Sequence, residues 1–225
     1  MGKRSLRMSD TVAPTSRLQS HFANAQQQYE TAQFGMWVFL VTEIMFFGGL
    51  FTAYLMYRVQ YPDAFAHASS HFLDLTLGTI NTVVLIGSSL TMALAVHSAR
   101  MSRSKMIAFW MAVTMVLGAV FLGIKAIEYT SKWNEGVFPA NFWYRGSPDW
   151  ANERIYFSLY FAMTGLHATH MIIGMGIMTY IARRALKGDY SAQWYTPVEI
   201  MGLYWHFVDL VWIFLFPLLY LIGRH

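Results

Sequence analysis

Five long apolar runs dominate this sequence and limit what the chain can fold into. They cover residues 34–58, 75–98, 106–129, 155–182 and 198–222, and polar segments separate them. A helix of about 20 residues crosses the roughly 30 Å of hydrocarbon in a bilayer, and each run is long enough to do so. The sequence therefore predicts an all-α, polytopic membrane protein, built as a bundle of five transmembrane helices.

The amino-acid composition excludes a soluble protein. Only 12% of the residues are charged, about half of what soluble domains carry, and 56% are hydrophobic. Cysteine is absent, which excludes a disulfide framework, a thiolate metal site and a cysteine nucleophile. Residues 1–33 are polar and contain no apolar segment typical of a signal peptide. We therefore predict a polar N-terminal tail of residues 1–33, followed by one transmembrane domain of residues 34–225.

Basic residues are distributed unequally between the two ends of the predicted helices. Ten lie in the N-terminal tail and in the connections after the second and fourth runs, whereas five lie on the other side. Because positively charged connections tend to stay in the cytoplasm, we predict a cytoplasmic N-terminus and an external C-terminus. The net charge of +4 then reflects membrane orientation, and no nucleic-acid partner is expected.

Ionisable side chains inside the apolar runs are costly in hydrocarbon, so they mark candidate functional sites. They are Glu43, His167, His170, His206 and Asp209. Counted along their helices at about 1.5 Å per residue, they lie at comparable depths and are expected to contribute to one intramembrane polar layer. A hydrogen-bonded network between helices, a lipid-headgroup or proton-related role, and a metal or haem site are all open readings of this layer.

Small and polar residues recur on single helix faces, which is typical of the seams along which membrane helices pack. These faces comprise Gly78, Asn81, Leu85 and Ser88 in the second run, His167, His170 and Gly174 in the fourth, and Glu199, Gly202, His206 and Asp209 in the fifth. The polar residues among them are therefore expected to point into the bundle rather than towards lipid.

Five segments, one in each apolar run, resemble the helices of subunit III of the haem-copper oxidases. They are FGMWVFLVTEIMFFGGLF (34–51), NTVVLIGSS (81–89), LGAVFLGIKAIEY (117–129), AMTGLHATHMIIG (162–174) and GLYWHFVDLVWIFLF (202–216). The matches follow one another in order, from about residue 34 to the C-terminus. Many family members carry two further helices before these, and the five-helix form is typical of bacterial members. The resemblance therefore implies a multi-pass protein of a bacterial cytoplasmic (inner) membrane.

The resemblance also implies what the subunit does. In this family the haems and copper belong to subunits I and II, so neither catalytic residues nor a metal or redox cofactor is expected in this chain. Subunit I is the expected main partner, subunit II a further one, and bound phospholipid and support of proton uptake and turnover stability are expected. Arg184 matches a position associated with lipid phosphate, and Glu43 matches the family's intramembrane glutamate. With His206 they are the candidate lipid-binding residues.

The electron donor to the complex is inferred from one residue. Glu43 is present where quinol-oxidase relatives often vary, which favours cytochrome c over quinol as the donor. A quinol oxidase subunit and a relative associated with nitric oxide reductase are the alternatives within the family. A stand-alone transporter or metal-binding membrane enzyme is the alternative from another class.

Lys125 is the one residue that departs from the family pattern, in which a neutral polar residue is expected there. It lies three residues before Glu128, near one end of the third run. We interpret Lys125 and Glu128 as a surface pair, with the lysine snorkelling to the membrane interface.

Overall fold

The computed structural model describes residues 19–139, 143–145 and 147–221. The helices are α1 (Ala25–Gln60), α2 (Pro62–Phe72), α3 (Leu75–Arg100), α4 (Ser104–Asn134), α5 (Trp150–Leu186) and α6 (Thr196–Phe216), and a π-helical turn (Pro217–Leu221) continues α6. Within the described residues, five helices are long and apolar enough to cross a membrane: α1, α3, α4, α5, and α6 with its π turn. The predicted five-helix, all-α architecture is confirmed, whereas the orientation of the termini stays a prediction.

The helices extend beyond the predicted apolar runs. α1 begins at Ala25, inside the predicted tail, and the Asn24 side chain caps it by accepting the backbone N–H of Gln27 at 2.8 Å. α5 likewise runs from Trp150 to Leu186. Hydropathy marks the part of a helix that lies in hydrocarbon, and polar turns can continue the helix into the headgroup region. The basic residues predicted in the tail, within residues 1–18, lie outside the described part of the chain, as does the C-terminus, residues 222–225.

One short helix was not predicted. The polar segment between the first two apolar runs forms α2, with Pro62 in its first turn, where proline is favoured. α2 is amphipathic: Phe65 and Ala68 are buried against the bundle, and Ser70 is exposed. It lies against α5 and the π turn. The 11 residues of α2 are too few to cross the membrane, so a search for long apolar runs passes over them.

Four helices form a closed ring in which α3 packs on α4, α4 on α5, α5 on α6 and α6 on α3, while α1 lies outside the ring against α5 and α6. The predicted small and polar face of α3 (Gly78, Asn81, Leu85 and Ser88) is buried, as expected for a packing seam. Two fully buried tryptophans of α6 bind α3: the Trp205 indole N–H donates to Ser88 Oγ and that of Trp212 to Thr82 Oγ1, each at 3.1 Å. These bonds fix the register between the two helices.

Candidate functional site

Glu43 of α1 and His170 of α5, both candidates for the intramembrane polar layer, lie side by side. His170 Nε2 is 3.2 Å from Glu43 Oε2, and the two side chains are 14% and 18% exposed. The other ring nitrogen, Nδ1, lies 2.9 Å from the Leu166 carbonyl oxygen. Because a carbonyl only accepts, Nδ1 carries a proton. Nε2 faces the carboxyl within ion-pair distance, although the two groups are not aligned for a well-formed hydrogen bond. This contact ties the outlying α1 to the ring.

His206 and Asp209 form a second polar group, on the α6 side that faces α3. His206 Nδ1 is 2.7 Å from Ser89 Oγ of α3. The same hydroxyl lies beside the Asp209 carboxyl, which is 4% exposed. Ser89 was not singled out from the sequence, because it stands one residue beyond the predicted packing face that ends at Ser88. The sequence feature that could have indicated Ser89 is its small hydroxyl side chain, on the α3 face next to that of Ser88.

His167 is separate from both groups. Its ring is almost fully buried, and Nε2 donates to the Val208 carbonyl at 3.1 Å. The ring packs against Phe121 and Trp212, with centroids 5.4 and 5.3 Å away. Among the described contacts, none links His167 to the Glu43–His170 pair or to the His206–Ser89–Asp209 group. The residues expected in one polar layer thus lie in three separate groups, because His167, His170 and the two α6 residues contact different neighbours around the ring.

The interpretation of Lys125 and Glu128 as a surface pair is wrong. Both residues are 4% exposed, and their charged ends are 3.0 Å apart inside the bundle. The Lys125 ammonium also donates to the hydroxyls of Tyr160 and Tyr220, and it lies 4.7 Å from the centre of the Trp212 ring. The helix face that carries Lys125 is turned towards α5 and the π turn, so the side chain fills an interior polar pocket and does not reach the interface.

Arg184 lies at the end of α5 that adjoins the α3–α4 connection. Its Nε donates to Asp189 Oδ2 at 2.7 Å, and its guanidinium lies 5.8 Å from the Tyr180 ring and 5.7 Å from the Trp194 ring. Tyr and Trp are enriched where helices leave the hydrocarbon. Arg184 therefore stands at a membrane interface, apart from Glu43 and His206. The three candidate lipid-binding residues do not form one site.

A groove of about 520 Å³ runs from the Glu43–His170 contact towards Arg184. It runs between α1, α5 and α6, and its lining residues are Met36, Phe39, His170, Ile173, Ile177, Tyr180, Ile181, Pro197, Ile200, Met201 and Tyr204. One end reaches His170, which pairs with Glu43, and the other reaches Tyr180, beside Arg184. Ten residues of α5 separate His170 from Tyr180, a rise of about 15 Å. The groove is thus apolar along its length, with an ionisable side chain near each end.

A second groove, of about 400 Å³, runs between α3 and α6 on another side of the ring. Asp209, His206 and Ser89 line it. Nowhere in the described part of the chain do three His, Asp or Glu side chains gather in a group that could hold a metal ion.

Comparison with known proteins identifies the family. A family model described as cytochrome c oxidase subunit III matches residues 6–224. The chain is 33% identical over 199 residues to a probable quinol oxidase subunit 3 of Staphylococcus aureus (strain USA300), covering 86% of this chain and 90% of that protein. It is 34% identical over 191 residues to a cytochrome c oxidase subunit 3 of Thermostichus vulcanus, covering 84% and 87% of the two chains.

The residues that the family model matches include all five membrane-spanning helices. The chain is a multi-pass membrane subunit of the haem-copper oxidase class, whose members associate with other oxidase subunits. It belongs to the cytochrome c oxidase subunit III family, which confirms the resemblance found in the sequence.

Proposed function

We propose that this chain is the non-redox subunit III of a bacterial respiratory terminal oxidase in the cytoplasmic membrane. It packs on subunit I with subunit II nearby, contains no catalytic residue, metal or redox cofactor of its own, and holds phospholipid that sustains proton uptake. The observation that carries the lipid-binding part is the apolar groove between α1, α5 and α6, with Arg184 near its mouth.

The shape and chemistry of this groove suit one acyl chain. Its walls are aliphatic and aromatic side chains, among them Ile173, Ile177 and Met201. The rise from Tyr180 to His170, about 15 Å, equals roughly half of the hydrocarbon thickness, which is the depth that an acyl chain of one leaflet fills. The groove therefore offers a bound lipid chain a continuous apolar path from the interface to the bilayer centre.

In this proposal Arg184 holds the headgroup. A guanidinium carries five N–H donors, of which Nε–H is engaged by Asp189. The side chain is 31% exposed, so its charge is reachable from the headgroup layer. Arginine binds phosphate with two parallel hydrogen bonds, a geometry that lysine does not reproduce. Arg184 with the groove thus forms a phospholipid site, whereas Glu43 closes its deep end through His170.

The lipid site is tested by counting phospholipids that remain with the purified oxidase. Arg184→Gln should reduce the amount of tightly held phospholipid, and Arg184→Lys should restore only part of it. Arg183→Gln is the matched control, since Arg183 is the exposed neighbour in the same turn. Native mass spectrometry of the complexes gives the count. Equal lipid content in the Arg184→Gln and Arg183→Gln complexes would contradict the site.

For the electron donor we propose cytochrome c, on the strength of Glu43, which is paired with His170. The similarity to quinol oxidase subunit 3 proteins favours quinol as the second candidate. The purified complex should oxidise reduced cytochrome c faster than a short-chain quinol. The reverse order of rates would assign it to the quinol oxidases.

The role in turnover is tested with an oxidase assembled without this chain. That enzyme should keep its haem spectrum and reduce oxygen at first, and its activity should then decline over repeated turnovers, faster at high pH where protons are scarce. Immediate loss of oxygen reduction with the haems intact would mean that the chain takes part in the chemistry. An unchanged lifetime would reduce its role to assembly.

A further inference from the structure

The groove between α3 and α6 has an apolar rim and one carboxyl group in its floor. Its floor is formed by buried side chains, Leu85, Asp209 and Trp212, which are 1%, 4% and 1% exposed. Its rim is formed by Ile86, Leu90, Leu210 and Ile213, which are 46–63% exposed. The groove therefore opens sideways from the ring, and a carboxyl group lies at its base.

Asp209 is deep in the membrane. It is 13 residues from the start of α6 and 12 residues from the end of the π turn, so about 18–20 Å of helix lie on either side of it. A lipid headgroup at either interface is too far away to bind this carboxyl, and acyl chains have no hydrogen-bond donors. A buried polar group without a partner is costly, and in hydrocarbon no water compensates for it.

The groups around Asp209 do not supply enough donors. Neither carboxyl oxygen receives a well-formed hydrogen bond from the described residues, and each is shielded from solvent. The Ser89 hydroxyl, which lies beside the carboxyl, has a single proton and is 2.7 Å from His206 Nδ1. That proton serves either His206 or Asp209. In both arrangements at least one oxygen of Asp209 has no donor.

The walls of the groove are suited to a helix. Ser89 and Ala93, four residues apart on α3, are small and line it, so a neighbouring backbone can approach closely there. The exposed rim residues on α3 and α6 form two ridges, and the groove between two such ridges receives the side chains of a third helix. A helix also carries the hydrogen-bond donors that lipid tails lack.

We propose that the α3–α6 groove is the docking site of a transmembrane helix from a neighbouring oxidase subunit, which contributes a hydrogen-bond donor to Asp209. The donor is a hydroxyl, amide or indole N–H group at the depth of Asp209, flanked by aliphatic residues that meet the rim. This docking site identifies the α3–α6 face as the one that contacts the partner subunit. The inference rests on the proposed function, in which the chain packs against other oxidase subunits.

Site-specific photo-cross-linking in membranes that contain the complete oxidase tests the docking site. The chain has no cysteine, so Leu90→Cys or Ile213→Cys can each carry a single thiol-reactive benzophenone. Val116→Cys is the control, because Val116 is 62% exposed on α4, across the ring from α6. Mass spectrometry of the products identifies the neighbour. Leu90 and Ile213 should cross-link to one helix of another oxidase subunit, and Val116 should not.

Two variants of Asp209 test the hydrogen bond. Asp209→Leu removes the acceptor, and the association of the chain with the other subunits should weaken about three- to thirty-fold, the range that one interhelical hydrogen bond supports. Asp209→Asn keeps the shape and one acceptor oxygen and should retain most of the association. The amount of chain inserted in the membrane should be equal for both, which separates lost docking from lost folding.

The outcomes distinguish the docking site from the proposed function. If the chain co-purifies with the haem-bearing subunits but Leu90 and Ile213 cross-link only to lipid or to a second copy of the chain, the docking site is wrong and the proposed function stands. Equal association of Asp209→Leu and the unmodified chain would also overturn it. If the chain does not co-purify with haem-bearing subunits at all, the proposed function itself fails.

Discussion

Lys125 and Glu128 form a buried ion pair, with 3.0 Å between Nζ and Oε2, that joins α4 to α5 and to the π turn. The other carboxyl oxygen, Oε1, accepts the hydroxyls of Tyr160 at 2.7 Å and of Tyr220 at 2.5 Å. The ammonium donates to both tyrosines as well. Each charge is thus neutralised by its partner and surrounded by hydrogen-bonding groups, which is the condition under which a membrane interior tolerates them.

Removing one member of this pair should be far more harmful than removing both. Lys125→Met leaves the Glu128 carboxylate buried without its cation, and we expect a loss of about 3–5 kcal/mol in the free energy of unfolding. The double variant Lys125→Met, Glu128→Gln removes both charges and should recover most of that loss. The effect is measured by heating the purified complex and monitoring the release of this subunit.

A second lysine–glutamate pair, at the C-terminal end of α4, is the control. Lys132 and Glu135 are also three residues apart, 2.8 Å between Nζ and Oε2, but the Glu135 side chain is 35% exposed. Water can hydrate Glu135 after Lys132→Met, so the loss should be much smaller. Equal losses for Lys125→Met and Lys132→Met would show that burial of the first pair does not matter for stability.

The π turn after α6 is held by hydrogen bonds from three other helices. Tyr54 of α1 donates to the Leu218 carbonyl at 2.9 Å, and Ser69 of α2 and Tyr156 of α5 donate to the Leu219 carbonyl at 2.8 and 3.0 Å. These donors satisfy carbonyl groups at the end of a helix, where backbone partners run out. They also explain why the short α2 is attached to the bundle.

Deleting one of these hydroxyls should weaken the π turn without opening a cavity. Tyr156→Phe should lower the free energy of unfolding by about 0.6–2 kcal/mol, as expected for one hydrogen bond in a membrane protein. Tyr57→Phe is a suitable control, because Tyr57 is 40% exposed on α1. Hydrogen exchange at Tyr220 and Leu221 should be faster in Tyr156→Phe. Unaltered exchange would mean that the other two donors suffice.

The five transmembrane helices were predictable because hydrocarbon imposes a length and an apolar composition on each of them. α2 was not, since it lies outside that constraint and its helix is stabilised by contacts with α5 and the π turn, which are distant in sequence. The burial of Lys125 was not predictable from the sequence either, because it also depends on contacts with residues that are distant in sequence. Its partners Tyr160 and Tyr220 are 35 and 95 residues away, and only the folded chain brings them together.

The candidate polar residues could be identified from the sequence because ionisable side chains are energetically unfavourable in hydrocarbon. Their spacing along each helix predicted that they face inwards. Spacing gives the face of a helix but not the identity of the neighbouring helix. The fold brings Glu43 to His170, whereas His167 packs against Phe121 and Trp212. These contacts depend on the rotation of each helix about its axis, and Trp205 and Trp212 fix α6 against α3 through their indole hydrogen bonds.

Close packing around Trp205 gives a prediction about two neighbouring glycines of α5. A Cβ atom at Gly174 would lie 2.8 Å from Tyr204 Cε1 and 3.2 Å from the Trp205 ring, whereas one at Gly176 meets nothing within 4 Å. Gly174→Ala should therefore destabilise the subunit by about 1–3 kcal/mol through overpacking. Gly176→Ala should be neutral or slightly stabilising, because alanine favours the helix. Similar unfolding temperatures for the two variants would contradict tight packing of α5 on α6.

The orientation of the chain follows from its basic residues and can be tested with single cysteines, since the natural chain has none. Met101, 57% exposed in the α3–α4 connection, lies on the side with the larger number of basic residues, and Ser70, exposed on α2, lies on the other. Because basic connections stay inside, an impermeant thiol reagent should label Ser70→Cys in intact cells and label Met101→Cys only after the membrane is opened. Both variants keep the charge distribution that sets the orientation, so neither should change it. Labelling of Met101→Cys, but not Ser70→Cys, in intact cells would reverse the orientation and move Arg184 to the outer leaflet.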